Sequence, residues 1–465
     1  MRLVLFFVAG SLASAAYAQS DMKRFARQQA HRDSVQAQRL HHYLQSKRIA
    51  PTIKDSVNQR TMLLVADEEG TYSYRAGLNQ QAAITTGASL LQDETKGYRL
   101  TGKGITCGIW EDGLVKTHAE FGNRILSKEG AFERTHATHV AGTILASGIN
   151  PSAKGMAPEA SAYTFYFDND VSEMAALASE GEESLLFSNH SYGTVTGWSR
   201  PNGVWTWYGD TDISTDEDYR HGFYNWRAQR VDELAYLSPY YTIVWAAGND
   251  RFETGDGTYP ADCNKGTGYD CIIPDATAKN IITVGAAQKV LNYTSPSSVA
   301  MSWFSSWGPT DDGRIKPDLV AAGVDLFSLS ADGTNTYAYS TGTSMATPNV
   351  TGSLMLLQQL HARLNAGHYL KASTLKALAI HTAKEAGLRD GPDYQFGWGL
   401  LNVKAAADVL LKVDGEQTRL IESTLEQGEV YQFEIEPKAD QKVTLTLCWT
   451  DPEGTTPTPA LDPLT

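Results

Sequence analysis

Between residues 100 and 410 the chain repeats one pattern. Short apolar runs rich in β-branched and aromatic residues alternate with stretches of helical spacing. The candidate strands are residues 105–110, 162–167, 185–188, 241–246, 280–286 and 324–329, with helical patterns at 139–146, 171–179 and 224–236 between them. Runs this continuous leave no polar face for solvent, so each strand must be covered on both sides. That requirement selects an α/β fold, a parallel sheet with helices on both faces. Two more helical stretches, 350–364 and 370–382, close this region. After about residue 412 the spacing changes to period two: Val430, Gln432 and Glu434 alternate with Tyr431, Phe433 and Ile435, which reads as antiparallel β.

The N-terminus has a different texture. Arg2, the apolar run 3–16 and Ala16-Tyr17-Ala18 have the charged, apolar and small-residue parts of a signal peptide, with cleavage expected after Ala18. The apolar run is shorter than the ~20 residues that span a bilayer. A soluble, secreted or periplasmic protein is therefore expected, with no membrane contact once the signal is removed. Residues 21–60 carry nine basic and three acidic side chains, although the whole chain has a formal charge of -14. A basic segment ahead of an acidic body reads as a separable pro-region over 19–85, or else as an N-terminal subdomain. Within it, 21–45 reads as a surface helix and 61–86 as a hairpin. The acidic balance argues against a nucleic-acid partner.

Four cysteines in 465 residues are too few for a disulfide scaffold. Cys263 and Cys271 lie eight positions apart in a turn-rich loop, where they either form a bridge or stay as thiols. Cys107 and Cys448 fall in apolar runs and read as small core residues.

Three segments carry the parts of a nucleophilic acyl-transfer site. GITCGIWEDG runs a buried strand into Glu111 and Asp112; THATHVAGTI opens a helix at His136; STGTSMATPNVTGSLMLL puts Ser344 in a glycine-flanked turn at the start of a long helix. A helix N-terminus offers the backbone N–H of Ser344 and its positive dipole end to a developing oxyanion. Pro348 falls in the first turns, where a missing N–H costs least. Asn249 ends the strand YTIVWAAGN, at the edge where α/β proteins place ligands, and reads as the second oxyanion donor.

On these residues the sequence resembles the subtilases over roughly 100–410. GTSMATP and HATHVAGT are the most specific signals, and the order acid, histidine, asparagine, serine is the subtilisin order. The resemblance implies a secreted serine endopeptidase with Ser344 as nucleophile, His136 as base, Asn249 in the oxyanion hole, and polypeptide substrates. It also implies that Ser191, Tyr192 and Gly193 bind substrate as an added β-strand, and that Ala246, Ala247 and Gly248 line the specificity pocket with them. Its domain plan is a signal peptide at 1–18, a pro-region at 19–85, a catalytic domain at 86–410 and the start of a β-sandwich at 411–465, which is expected to be cut short.

Two departures stand out. Ala137 occupies a place where the family usually has glycine. By register the triad acid falls on Glu111, and by chemistry on Asp112; strand neighbours face opposite ways, so only one faces His136 unless the chain bends. A catalytically inactive subtilase fold used for binding, and an acidic serine-carboxyl peptidase built on Glu111-Asp112, are the rival readings. No cofactor and no metal are expected at the site. His139 reads as a structural histidine. The aromatic stretch 196–226 reads as a packed insertion, a cleft wall or a sugar-binding face. Its acids Asp210, Asp212, Asp216, Glu217 and Asp218 read as a solvated loop or a structural calcium site.

Overall fold

The computed structural model describes residues 83–457 apart from 94, 96, 180–184, 259–262, 264–266, 389, 413–419, 435–439 and 441–442, together with helical positions between 23 and 47 and three backbone strands between 52 and 77. The signal-peptide reading falls outside the described residues. The three leader strands are β1 (Thr52–Asp55), β2 (Arg60–Ala66) and β3 (Tyr72–Gly77), joined as an antiparallel meander. Of the hairpin expected at 61–86, the β2–β3 pair covers residues 60–77, and Ala83–Thr86 is helical instead.

The body is built on β4 (Thr106–Glu111), β5 (Ile125–Ser127), β6 (Ser161–Tyr166) and β7 (Phe187–His190). Past Ser191 the chain continues as β8 (Tyr192–Thr194), then as a short antiparallel ribbon, β9 (Trp198–Ser199) with β10 (Thr206–Trp207). The remaining strands are β11 (Thr242–Ala246), β12 (Ile282–Ala287), β13 (Leu319–Ala322), β14 (Leu326–Leu329) and β15 (Tyr337–Ser340). Seven of them form one parallel sheet in the order β13-β12-β11-β7-β4-β6-β5.

The principal helices are α1 (Thr135–Leu145), α2 (Asp170–Ala178), α3 (Trp226–Leu237), α4 (Thr343–Leu364), α5 (Ala372–His381) and α6 (Val403–Leu410). Strand neighbours divide between two cores, as a doubly covered sheet requires. Ile109 and Val244 join the core shared with α1 and α4, whereas Trp110, Ile243 and Trp245 join the core shared with α2 and α3.

One expected strand is misplaced in the sequence reading. Residues 324–329 were assigned to the parallel sheet, but β14 pairs antiparallel with β15 in a separate ribbon. The sheet's edge is β13, a few residues earlier. Gly323 divides the apolar run: its N–H bonds to Ala287 O, and an added Cβ would lie 2.5 Å from Gly342 O. After Leu410 the alternating segment forms no ladder among the described residues, and Val430, Leu445, Leu447 and Trp449 are exposed. An alternating segment becomes a strand only when another lies alongside it.

Candidate active site

The topology places the site. β4 and β7 are adjacent, and the chain leaves them toward opposite edges of the sheet, so the carboxyl ends of these two strands flank the switch point. Glu111 ends β4, Ser191 follows β7, and Asn249 lies just past β11.

Glu111 shares the face of Ile109, the side on which α1 packs. His136 stands in the first turn of α1, and its Nδ1 is 2.6 Å from Glu111 Oε2. With the proton on Nδ1, the imidazole donates to the carboxylate. Asp112 follows at a bend, which carries its Oδ1 to 3.9 Å from the same nitrogen. The bend lets both acids approach the imidazole, and only Glu111 bonds it. Glu111 Oε1 and Asp112 Oδ1 are buried with no hydrogen-bond partner. Burial pushes the Glu111 carboxyl up to about 7 against the opposing pull of His136, and the Asp112 charge adds to the rise. Burial raises Asp112 as well. Ligating atoms of Glu111, Asp112 and His136 lie within 4.8 Å of one another, so a divalent cation entering here would compete with the Glu111–His136 hydrogen bond.

Ser344 is the second residue of α4, and α4 packs against α1. Its hydroxyl donates to Ser191 O at 2.9 Å, and the Ser191 hydroxyl donates back to Ser344 O at 2.9 Å. Asn249 Oδ1 accepts from the N–H and hydroxyl of Thr343, at 2.9 and 3.0 Å. These two bonds fix the orientation of the Asn249 amide. Ser344 and Asn249 line one cleft with Tyr192, Gly193, Ala246, Gly248 and Ile273.

The site thus holds a histidine–carboxylate pair and, on a neighbouring helix, a serine that shares its cleft with an amide at the sheet edge. The subtilase family's sequence profile matches residues 102–399. The chain belongs to the subtilase family. Subtilisin DY of Bacillus licheniformis is 27% identical over 68% of this chain and 94% of its own length. Serine protease AprX of Bacillus subtilis is 26% identical over 57% and 59%. The C5a peptidase of Streptococcus pyogenes is 44% identical over 90 residues, 19% of this chain and 7% of that protein. The chain therefore spans under a tenth of those streptococcal relatives. The CspB protease of Clostridium perfringens shares the fold, with a TM-score of 0.54 at 17% identity, covering 71% of this chain and all of that one.

The structure gathers the residues singled out from the sequence of this subtilase into two groups, Ser344 and Asn249 with Tyr192, Gly193, Ala246 and Gly248 around the cleft and His136 bonded to Glu111, with two corrections. Ala247 does not line the cleft; it is fully buried in the α2/α3 core, because it alternates with Ala246 and Gly248. Tyr192 contributes backbone to the cleft, while its ring is buried and its hydroxyl donates to Asp170 Oδ2 at 2.5 Å. Ala137 is fully buried in the α1/α4 core, so its methyl is accommodated. His139 is buried with Nε2 3.1 Å from Ala338 O, and burial holds its pKa well below the usual value.

In the aromatic insertion, Trp198 is buried and stacks edge-on with Trp205 and Trp207. Asp210, Asp212 and Asp216 are exposed. Burial alone would raise Asp218, but Arg220 at 2.6 Å brings it down to about 2. Cys263 and Cys271 form a disulfide, Cys107 is buried, and Cys448 is half-buried. Among residues the sequence reading missed, Thr343 aligns Asn249, and Ile273 faces the substrate strand. A Cβ on Gly193 would lie 2.2 Å from Ile273 Cδ1, so a larger residue there would require the Ile273 side chain to shift.

Proposed function

We propose that this subtilase is a secreted serine endopeptidase. The observation that carries the reading is the 2.6 Å bond between Glu111 and His136, on a helix packed against the one that presents Ser344 to a cleft shared with Asn249. In the mechanism, the Ser344 hydroxyl turns from Ser191 O to the imidazole. Its Oγ attacks the scissile carbonyl carbon as the proton passes to His136, and Glu111 orients and stabilises the imidazolium. The amide of Asn249 and the N–H of Ser344 receive the oxyanion. His136 then gives its proton to the leaving amine, and water hydrolyses the acyl-enzyme by the reverse sequence. This chemistry calls for no cofactor; a calcium ion, if bound, would serve the fold.

Polypeptides are the substrates on this reading, taken up along Ser191–Gly193 by main-chain pairing. The small residues Gly193, Ala246 and Gly248 beside Ile273 favour an apolar side chain in the pocket. The leader reads as a pro-region. Its β3 pairs antiparallel with β8, Ala76 opposite Gly193 and Gly77 opposite Tyr192, the path a substrate strand would take. Its basic charge opposes the acidic body, so inhibition of the mature enzyme by a peptide of residues 19–85 should weaken with salt. Secretion rests on the signal-like N-terminus; among the described residues no helix is long and apolar enough to cross a membrane.

The test is a fluorophosphonate probe combined with peptide turnover. Labelling that disappears in Ser344→Ala, with turnover of an unstructured peptide, is expected. Absence of both would favour the rival reading, an inactive fold used for binding.

A further inference from the structure

Behind the substrate strand lies a buried ion cluster that the proposed chemistry does not use. Arg227, in the first turn of α3, sends Nε to Asp275 Oδ1 at 2.6 Å and Nη2 to Asp170 Oδ2 at 2.7 Å. All three residues are at most 6% exposed. Each carboxylate also holds β8: Asp170 Oδ2 accepts the Tyr192 hydroxyl at 2.5 Å, and Asp275 Oδ2 accepts the Thr194 N–H at 2.7 Å. Tyr192 is gripped twice more, its carbonyl by Trp245 Nε1 at 2.8 Å and its hydroxyl by His190 Nδ1 at 2.9 Å.

We infer that Arg227 is a positioning residue for extended peptide substrates, acting through Asp170 and Asp275 as a clamp on β8. The inference rests on the peptidase reading above. A three-residue strand has little stiffness of its own, and a peptide added to it must find Gly193 in a fixed place. The clamp holds the residue on each side of Gly193, Tyr192 by its hydroxyl and Thr194 by its N–H. One planar guanidinium reaches both carboxylates, which the point charge of a lysine cannot reproduce. The same cluster ties down both ends of the aromatic insertion, which leaves the strand after Thr194 and returns at Arg227. Desolvating one cation and two anions is costly, and removing one partner from such a set is strongly destabilising.

The test compares Arg227→Lys with the unaltered protein on two probes that both need Ser344. One is a peptide extending four residues on the acyl side of the scissile bond; the other is a small fluorophosphonate that reaches Ser344 without pairing to β8. Arg227→Lys is expected to lower kcat/KM for the peptide roughly tenfold, mainly through KM, the effect of one lost charge-assisted hydrogen bond. The labelling rate should stay within about twofold, since the probe makes no use of the clamp. Equal losses on both probes would make Arg227 a structural residue only and overturn the inference. If the unaltered protein neither labels nor turns over peptide, the peptidase reading itself fails. Should Arg227→Lys not fold, Tyr192→Phe removes one hydroxyl and leaves the ion pairs in place. It is expected to raise KM for the long peptide by about threefold, and an unchanged KM would refute the clamp.

Discussion

Ser191 and Ser344 exchange two hydrogen bonds, each hydroxyl donating to the other's carbonyl at 2.9 Å. The Ser344 carbonyl is open to this because residue 348, four positions on in α4, is a proline with no N–H to offer it. Ser191 thus completes the first turn of α4. Ser191→Ala leaves a buried carbonyl without its partner and is expected to cost about 1–3 kcal/mol in chemical denaturation. Adding Pro348→Ala to that variant supplies the missing N–H and should recover part of the loss. A double-mutant cycle with no coupling between positions 191 and 348 would contradict this account.

On the peptidase reading, the two neighbouring acids have unequal duties. Glu111→Gln should reduce kcat by roughly 10³–10⁴, the scale of losing the orienting acid in a serine triad. Asp112→Asn, which leaves the Glu111–His136 bond in place, should cost under about tenfold. Steady-state rates on one peptide decide it, and the reverse ranking would move the acid to Asp112.

The pH profile follows from the same cluster. The working form needs a Glu111 carboxylate beside a neutral imidazole, and burial holds the carboxyl near 7. Activity should therefore rise with pH through neutrality as Glu111 loses its proton. The Asp112 charge raises Glu111, so Asp112→Asn should shift the acidic limb of kcat/KM toward lower pH. A limb that stays in place would show that Asp112 does not reach the dyad electrostatically.

Stability carries the opposite sign. The folded carboxyl of Glu111 binds its proton more tightly than the unfolded one, whose ordinary value is 4.5. Between about 4.5 and 7 the unfolded chain releases that proton first, so this group's contribution to stability falls as pH rises and is at its lowest above 7. Glu111→Gln should consequently be more stable than the unaltered protein at pH 8, and less so at pH 5, in denaturant titrations. The activity lost and the stability gained would have one cause, a charge held in a place that does not solvate it.

Much of this was readable from the chain. Buried strands announce themselves because two covered faces demand unbroken apolar runs, and the helix starts at His136 and Ser344 follow from short motifs. What failed to show were relations between distant residues. Gly323 looks like any turn glycine, and only its contact with Gly342 explains why the apolar run splits into β13 and β14. Glu111 and Asp112 are indistinguishable until the bend after β4 gives them different distances to one nitrogen. Asp170, Arg227 and Asp275 lie at the starts of three separate elements and form no motif in sequence. Ala247 lies past the end of β11, where the alternation that buries Trp245 turns its methyl into the α2/α3 core.

The disulfide stands close to Asn249. Cys263 and Cys271 have Cα atoms 4.9 Å apart, and Cys263 Sγ lies 3.5 Å from the carbonyl of Asp250, the residue after Asn249. Cross-linking so short a loop is worth about 2–3 kcal/mol by the chain-entropy estimate. Cys263→Ser with Cys271→Ser should lower stability by that amount and reduce kcat more than it changes KM, because the loop that carries Asn249 loses a fixed neighbour. Thiol titration in guanidinium gives an independent check: Cys107 and Cys448 should react without reductant, and all four cysteines after reduction. Four reactive thiols in unreduced protein would remove the bridge and, with it, this reason for the loop's rigidity.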